Sequence, residues 1–275
     1  MNEESFAFGP DNGLIGTVCL PVTTPRAAVV LFNAGVIHRV GPHRLNVRLA
    51  RRLAADGIAS IRFDLAGLGD SSRPSGDKSF EQQAVADVRA AMDALGARCG
   101  LATFTLFGFC SGAYHSYSTA QVDARVGGLV LFDAYRYRTF RAKLNRYRAR
   151  IQQHGLFNAV AGRIARAFRR LTTKPDSGDE EPVASVAYIT QVPDRAEFAA
   201  SVKNLLARGT RVCLIFSGGY EGYNYAEQFD DAFHGLLPRG QVGSYYFPNM
   251  DHVATRLSGQ EDLMNVVREW AIPQK

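Results

Sequence analysis

The 275 residues are 46% hydrophobic and 21% charged, a globular composition that excludes a disordered chain. No apolar run reaches the roughly 18–20 residues of a membrane span, and the acidic opening MNEESFAFG lacks the basic region a secretory signal carries. The net charge of +6 is concentrated: residues 136–174 hold twelve Lys and Arg and no acid, while the remainder carries 20 basic and 26 acidic residues.

From the N-terminus, Phe6–Phe8 and Gly16–Leu20 read as an antiparallel hairpin at a sheet edge. Short apolar runs bounded by Gly, Pro or Asp then recur at Ala27–Phe32, Ile58–Phe63, Thr103–Phe107, Leu129–Phe132, Val212–Phe216 and Ser244–Phe247. That is the pattern of strands buried on both faces. Helix-length stretches separate them at His43–Asp56, Phe80–Leu95, Ser111–Val122, Asp194–Ala207, Tyr225–Leu236 and Glu261–Trp270. The alternation predicts an α/β fold, with a mostly parallel central sheet and helices on both faces.

The rhythm breaks between Asp133 and Asp194. Phe140, Leu144, Tyr147 and Ile151 repeat at helical spacing, and Leu156 or Phe157, Val160, Ile164, Phe168 and Leu171 do the same, with arginines between them. The acidic piece 174–182, KPDSGDEEP, reads as a linker returning the chain to the core. The expected organisation is therefore a core of residues 1–133 and 191–275 interrupted by a basic helical lid over 134–190. Phe140, Phe157 and Phe168 in that lid suggest an apolar pocket.

The sharpest chemical signal is Thr103–Ala113, TFTLFGFCSGA. A strand pattern runs into Gly108-Phe109-Cys110-Ser111-Gly112, and a helix pattern follows. A nucleophile in such a tight turn needs small residues two before and two after it, because neighbouring backbone packs against it. The N-terminus of the next helix favours an anion at that point, which suits a cysteine thiolate. Ser111 as nucleophile needs glycines at 109 and 113, where the chain has Phe109 and Ala113, so Cys110 is the better candidate. Cys19 and Cys213 fall inside strand patterns and read as structural, as does Cys99. With no C-x-x-C pair, the four cysteines argue against a zinc site or disulfide framework and fit a reducing cytoplasm.

Taken together, these motifs resemble the α/β-hydrolase superfamily, and the match runs in order over nearly all of the chain except the lid. Asp64-Leu65-Ala66-Gly67-Leu68-Gly69-Asp70-Ser71 is similar to the family's D-x-x-G-x-G-x-S loop. Asn33-Ala34-Gly35 stands where the family has its oxyanion segment, often His-Gly. Phe247-Pro248-Asn249-Met250-Asp251-His252 resembles the last strand and catalytic histidine loop. Cysteine at the elbow is the family's minority choice, known from dienelactone-hydrolase-like enzymes and some thioesterases.

The resemblance implies an α/β-hydrolase fold and a nucleophile–acid–histidine order, which Cys110, Glu221 and His252 supply, with Asp133 as the competing acid. Glu221 follows the strand Val212–Phe216, where the family's acid is found, and Asp133 ends the strand before it. The oxyanion hole is expected from the backbone N–H of Ser111 and that of Gly35 or Val36. His38, Arg39 and Phe109 are candidates for substrate contact; Asp64 and Asp70 shape the sheet top. His115 reads as a core residue.

The implied reaction is acyl transfer from a small-molecule ester or thioester through an acyl-cysteine, ending in hydrolysis or in transfer to an acceptor. No metal or redox cofactor is expected. An acyl carrier protein or coenzyme A thioester would supply negative charge to match the basic lid, and an anionic membrane surface would also attract it peripherally. No nucleic-acid module accompanies the charge. The alternatives are a plain carboxylesterase of small or lipid substrates, and a silent hydrolase scaffold that binds a membrane or carrier protein through its lid.

Overall fold

A computed structural model describes residues 1–32, 35–149, 151–152, 192–220 and 222–272. In chain order the elements are β1 (Asn2–Phe8), β2 (Leu14–Leu20), β3 (Ala27–Phe32), α1 (Leu45–Ala55), β4 (Ile58–Phe63), α2 (Phe80–Cys99), β5 (Phe104–Phe109), α3 (Ser111–Val122) and β6 (Val126–Phe132). They continue with α4 (140–149), α5 (Arg195–Ala207), β7 (Arg211–Ser217), α6 (Gln228–Ala232), β8 (Val242–Phe247) and α7 (Leu257–Ala271).

The strands form one eight-stranded sheet in the order β1-β2-β4-β3-β5-β6-β7-β8. β1 and β2 make the expected antiparallel edge hairpin, with Phe6 opposite Gly16, and β2 also runs antiparallel to β4. All other pairs are parallel. Every residue of β3, β4 and β5 is buried, which is why these strands read as unbroken apolar runs rather than alternating ones. Alternate side chains then serve opposite faces. Val30, Phe32, Leu106 and Leu131 join one core with Val88, Met92, Ala113 and Phe198 from α2, α3 and α5. Val29, Leu31, Phe107 and Val130 join the other with Leu45, Leu49, Leu263 and Val267 from α1 and α7.

Local chemistry sets the helix ends. Ser79 and Gln82 form a reciprocal capping box at the start of α2, and Gly100, with φ 72, closes it. Asp194 and Glu197 repeat the box on α5. The helix expected over Tyr225–Leu236 is only the five residues of α6, and Gly235 at φ 76 lies within the turns that follow. Gln228 within it is fully buried, its amide donating to the carbonyls of Gly222 and Tyr137.

On α4 the expected apolar stripe does not face inward: Phe140 is 82% exposed and Leu144 37%. Ala142 is the buried residue instead, and Asn224 Nδ2 donates to its carbonyl. The second expected lid helix and the linker 174–182 lie outside the described residues. Among the described residues no helix is long and apolar enough to cross a membrane. Because β3 and β5–β8 are parallel, their C-terminal ends open on one edge of the sheet, where the candidate residues gather.

Candidate active site

β5 ends at Phe109 and α3 begins at Ser111, leaving Cys110 alone in the turn at φ 52 and ψ −115. A left-handed φ on a non-glycine residue costs on the order of 1–3 kcal/mol and persists only where its surroundings enforce it. Here Cys110 N–H donates to the Phe132 carbonyl at 2.9 Å, and Ala113 N–H donates to the Cys110 carbonyl at 3.0 Å. A Cβ at Gly108 would collide with the Gly112 carbonyl oxygen, Ser116 Oγ and Ala113 Cα. The glycine two residues before Cys110 thus has a steric cause: β5 and α3 pass too closely for any side chain.

His252 arrives on the loop after β8. A Cβ at Gly218 would collide with the Pro248 carbonyl, and one at Gly219 would lie 2.8 Å from the His252 backbone nitrogen, so both bare positions let this loop lie against the end of β7. Gly218 N–H donates to the Phe247 carbonyl at 2.8 Å and Gly219 N–H to the Met250 carbonyl at 3.1 Å. The Asp251 carboxylate gathers Val253 N–H, Thr255 N–H and the Thr255 hydroxyl, folding the loop back on itself.

The carboxylate that meets the imidazole is Asp133, at the end of β6 with φ 48. His252 Nδ1 is 2.8 Å from Asp133 Oδ2. Asp133 is fully buried, and Ser217 serves both its oxygens, N–H to Oδ1 at 2.7 Å and hydroxyl to Oδ2 at 2.6 Å. With Nδ1 engaged on Asp133, Nε2 is the ring nitrogen left for a second partner. The bond to Asp133, then the influence of the Cys110 thiol, outweighs burial and pushes His252 up from its usual 6.5 to about 10. Its ring lies between Phe109, centroid 5.5 Å away, and Tyr220, stacked at 5.9 Å with 12° between planes. Tyr220 is itself anchored, its hydroxyl donating to the Ala134 carbonyl.

A sequence model described as the alpha/beta hydrolase family matches residues 30–261. The chain belongs to the alpha/beta hydrolase family. No curated protein matches it in sequence. Among solved structures it is similar to a thioesterase domain from the curacin biosynthetic pathway, at 14% identity and TM-score 0.59, covering 97% of this chain and 99% of that one. It is also similar to a thermophilic esterase from Thermogutta terrifontis, at 19% identity and TM-score 0.55, covering 98% of each chain. A third is a lidless α/β serine hydrolase from Xanthomonas campestris, at 16% identity and TM-score 0.55, covering 100% of this chain and 98% of that one.

Within this α/β hydrolase the remaining candidates fall as follows. Ser111 N–H opens α3 beside Cys110, and Gly35, at φ 52, directs its N–H to Ser111 Oγ at 2.6 Å. Val36 is 68% exposed. Glu221 lies outside the described residues. Phe109, expected against substrate, is instead buried between His252 and Phe132, because it sits within β5 and backs the imidazole.

Arg39 is also mostly buried. Its NH1 lies 2.6 Å from Asp64 Oδ2 and 2.6 Å from Asp70 Oδ2, while its backbone N–H donates to Asp64 Oδ1 at 2.5 Å. Arg39 thus ties the segment after β3 to the loop after β4. His38, Asp64 and Asp70 bring ligand atoms within 4.8 Å of one another in the manner of a metal site. The Arg39 guanidinium occupies that place, its NH1 also 2.7 Å from His38 Nε2. His115 is a core residue: it packs edge-on to Phe80 at 5.4 Å, and burial pushes it down to about 4.

Sequence reasoning missed Ser217, Tyr220 and the Gly218-Gly219 pair. A serine and two glycines closing a buried strand next to the Asp133 strand was the available signal.

Proposed function

We propose that the chain is an acyl-transfer hydrolase acting on esters or thioesters through an acyl-cysteine, with Cys110 as nucleophile, His252 as acid and base, and Asp133 as the orienting carboxylate. The observation that carries this reading is the pairing of His252 Nδ1 with the buried Asp133 carboxylate at the sheet edge where Cys110 stands in a strained strand-to-helix turn. Asp133 holds Nδ1–H, so Nε2 exchanges protons with the sulfur and the reacting groups. The Cys110 thiolate attacks the carbonyl carbon, the C–S bond forms, and the carbonyl electron pair moves to oxygen. When the tetrahedral intermediate collapses, the alkoxide or thiolate leaves with a proton from the imidazolium. Water, giving its proton to His252, then attacks the acyl-cysteine and releases the carboxylic acid and the thiolate.

The names of two structural neighbours, a thioesterase and an esterase, fit this chemistry. A thioester on coenzyme A or an acyl carrier protein would bring the negative charge that the arginine-rich segment from Arg136 onward calls for. Arg136 stands over the Tyr220 ring at 5.2 Å, so that charge begins one aromatic ring away from His252. Four free cysteines suit a reducing compartment such as the cytoplasm.

Intact-protein mass spectrometry after brief mixing with acyl thioesters and activated esters tests the reading. The expected result is an acyl-sized mass gain that Cys110→Ala abolishes. Labelling that survives Cys110→Ala would overturn it and bring Ser111 forward.

A further inference from the structure

Two hydroxyls of α3 bond back within the helix. Ser116 Oγ donates to the Gly112 carbonyl at 3.0 Å and Thr119 Oγ1 to the His115 carbonyl at 2.8 Å, the ordinary use of a hydroxyl inside a helix. Ser111 has no such outlet. Four residues before it is Phe107, whose backbone belongs to β5. Its oxygen instead accepts the Gly35 N–H at 2.6 Å. A serine oxygen that accepts a hydrogen bond still has its own proton to donate, and among the described residues no group accepts it.

This changes what the two expected oxyanion donors do. The Gly35 N–H, expected to point at the reacting carbonyl, ends on Ser111 Oγ. The influence of the segment after β3 therefore reaches the site through a hydroxyl, on the residue that directly follows Cys110. We propose that the Ser111 side chain is a catalytic donor: its O–H, polarised by the Gly35 N–H, joins the backbone N–H of Ser111 in binding the oxyanion formed on Cys110. The claim rests on the acyl-transfer reading above and adds a residue to it.

In the step concerned, the C–S bond forms at Cys110 and the carbonyl pair moves onto oxygen. The Ser111 proton stays on Ser111 throughout; only its hydrogen bond strengthens as negative charge grows. A donor of this kind acts on the transition state more than on bound substrate, so it shows in kcat rather than KM.

The test compares two reactions of the same thiol. Acylation by an activated ester passes through an oxyanion, whereas alkylation by iodoacetamide displaces iodide and makes none. Ser111→Ala is expected to slow Cys110 acylation by about 10- to 100-fold, while alkylation of Cys110, followed by peptide mass mapping, changes less than about twofold. Ser111→Thr, which keeps a hydroxyl, is expected to recover most of the acylation rate.

A matched thionoester separates donation from mere positioning of the Gly35 segment. Its developing charge sits on sulfur, a weak acceptor, so the Ser111→Ala penalty shrinks there if the hydroxyl donates and stays equal if it only holds the loop. An equal penalty, or acylation by Ser111→Ala as fast as or faster than wild type, overturns the proposal and leaves the acyl-cysteine reading standing. Failure of the wild type to acylate at all removes the acyl-cysteine reading and this one with it.

Discussion

The ends of β5 and β7 look alike in sequence and do different work. Both place glycine where a strand meets the catalytic edge, Gly108 before Cys110 and Gly218-Gly219 after Ser217. At β5 the missing side chain makes room for α3, whose first turn underlies the proposed nucleophile. At β7 it makes room for the backbone of the His252 loop, and no described carboxylate of that strand end touches the imidazole. Among the described residues the carboxylate beside the imidazole follows the neighbouring strand β6, and Ser217 at the end of β7 holds it. A glycine at a strand end therefore marks a close backbone approach. Which side chain the approach serves depends on the neighbouring strand.

The comparison breaks hardest at Gly218. Gly218→Ala sets a Cβ against the Pro248 carbonyl, so the histidine loop has to move off β7. The expected cost is about 2 kcal/mol of stability and, because His252 moves with the loop, roughly 100-fold or more in turnover. Melting temperature and ester hydrolysis measured together check this. A variant with native activity would mean that the loop does not depend on β7.

Asp133→Asn tests the other half of the contrast. An amide keeps the shape and loses the charge that holds the imidazolium, so kcat is expected to fall about 100-fold, less than in a serine triad because a thiol needs less help from its base. A pH signature accompanies it. His252 is raised from 6.5 to about 10 in the folded chain, so its contribution to stability is fully present below about pH 6.5 and is lost as pH rises towards 10. Asp133→Asn is expected to flatten that part of the melting profile. An unchanged profile and unchanged turnover would assign the orienting role to another carboxylate.

How far the sequence reached follows from the same geometry. Strand order along the chain, the edge hairpin and the elbow were legible because each rests on local chemistry: unbroken apolar runs, turn residues, and small residues around Cys110. The contact between Asp133 and His252 was not. β6 and β7 are adjacent and parallel, with Phe132 opposite Ile215, so the residues after each strand start from neighbouring places on one edge. What turns Asp133 towards His252 is its φ of 48 and the clamp from Ser217, a long-range contact with no local sequence mark. The placement of Phe109 was hidden for a related reason. In a strand buried on both faces nothing in the pattern tells which side a residue serves, and this one backs the imidazole. On α4, periodicity predicted the helix but not its facing: Phe140 points outward while Ala142 packs.

Ser217→Ala is the mildest cut and the one that measures how the two strand ends cooperate. It removes the hydroxyl from Asp133 Oδ2 and leaves the Ser217 N–H on Oδ1. Oδ2 is also the oxygen that His252 Nδ1 meets, so the two donors share one atom and the serine steadies the carboxylate while drawing on the same lone pairs. Losing a single hydrogen bond to a buried carboxylate is worth about 1.5–3 kcal/mol before relaxation. The retained backbone bond, and the stronger hold on His252 that the freed oxygen allows, offset part of that. The expected outcome is a fall in turnover of about tenfold with KM nearly unchanged. Combined with Asp133→Asn, the effect should vanish, because there is then no charged acid for Ser217 to position. A Ser217→Ala penalty that persists in the double variant would show that the serine acts on the β7 end itself, and the division of labour between the two strands would have to be redrawn.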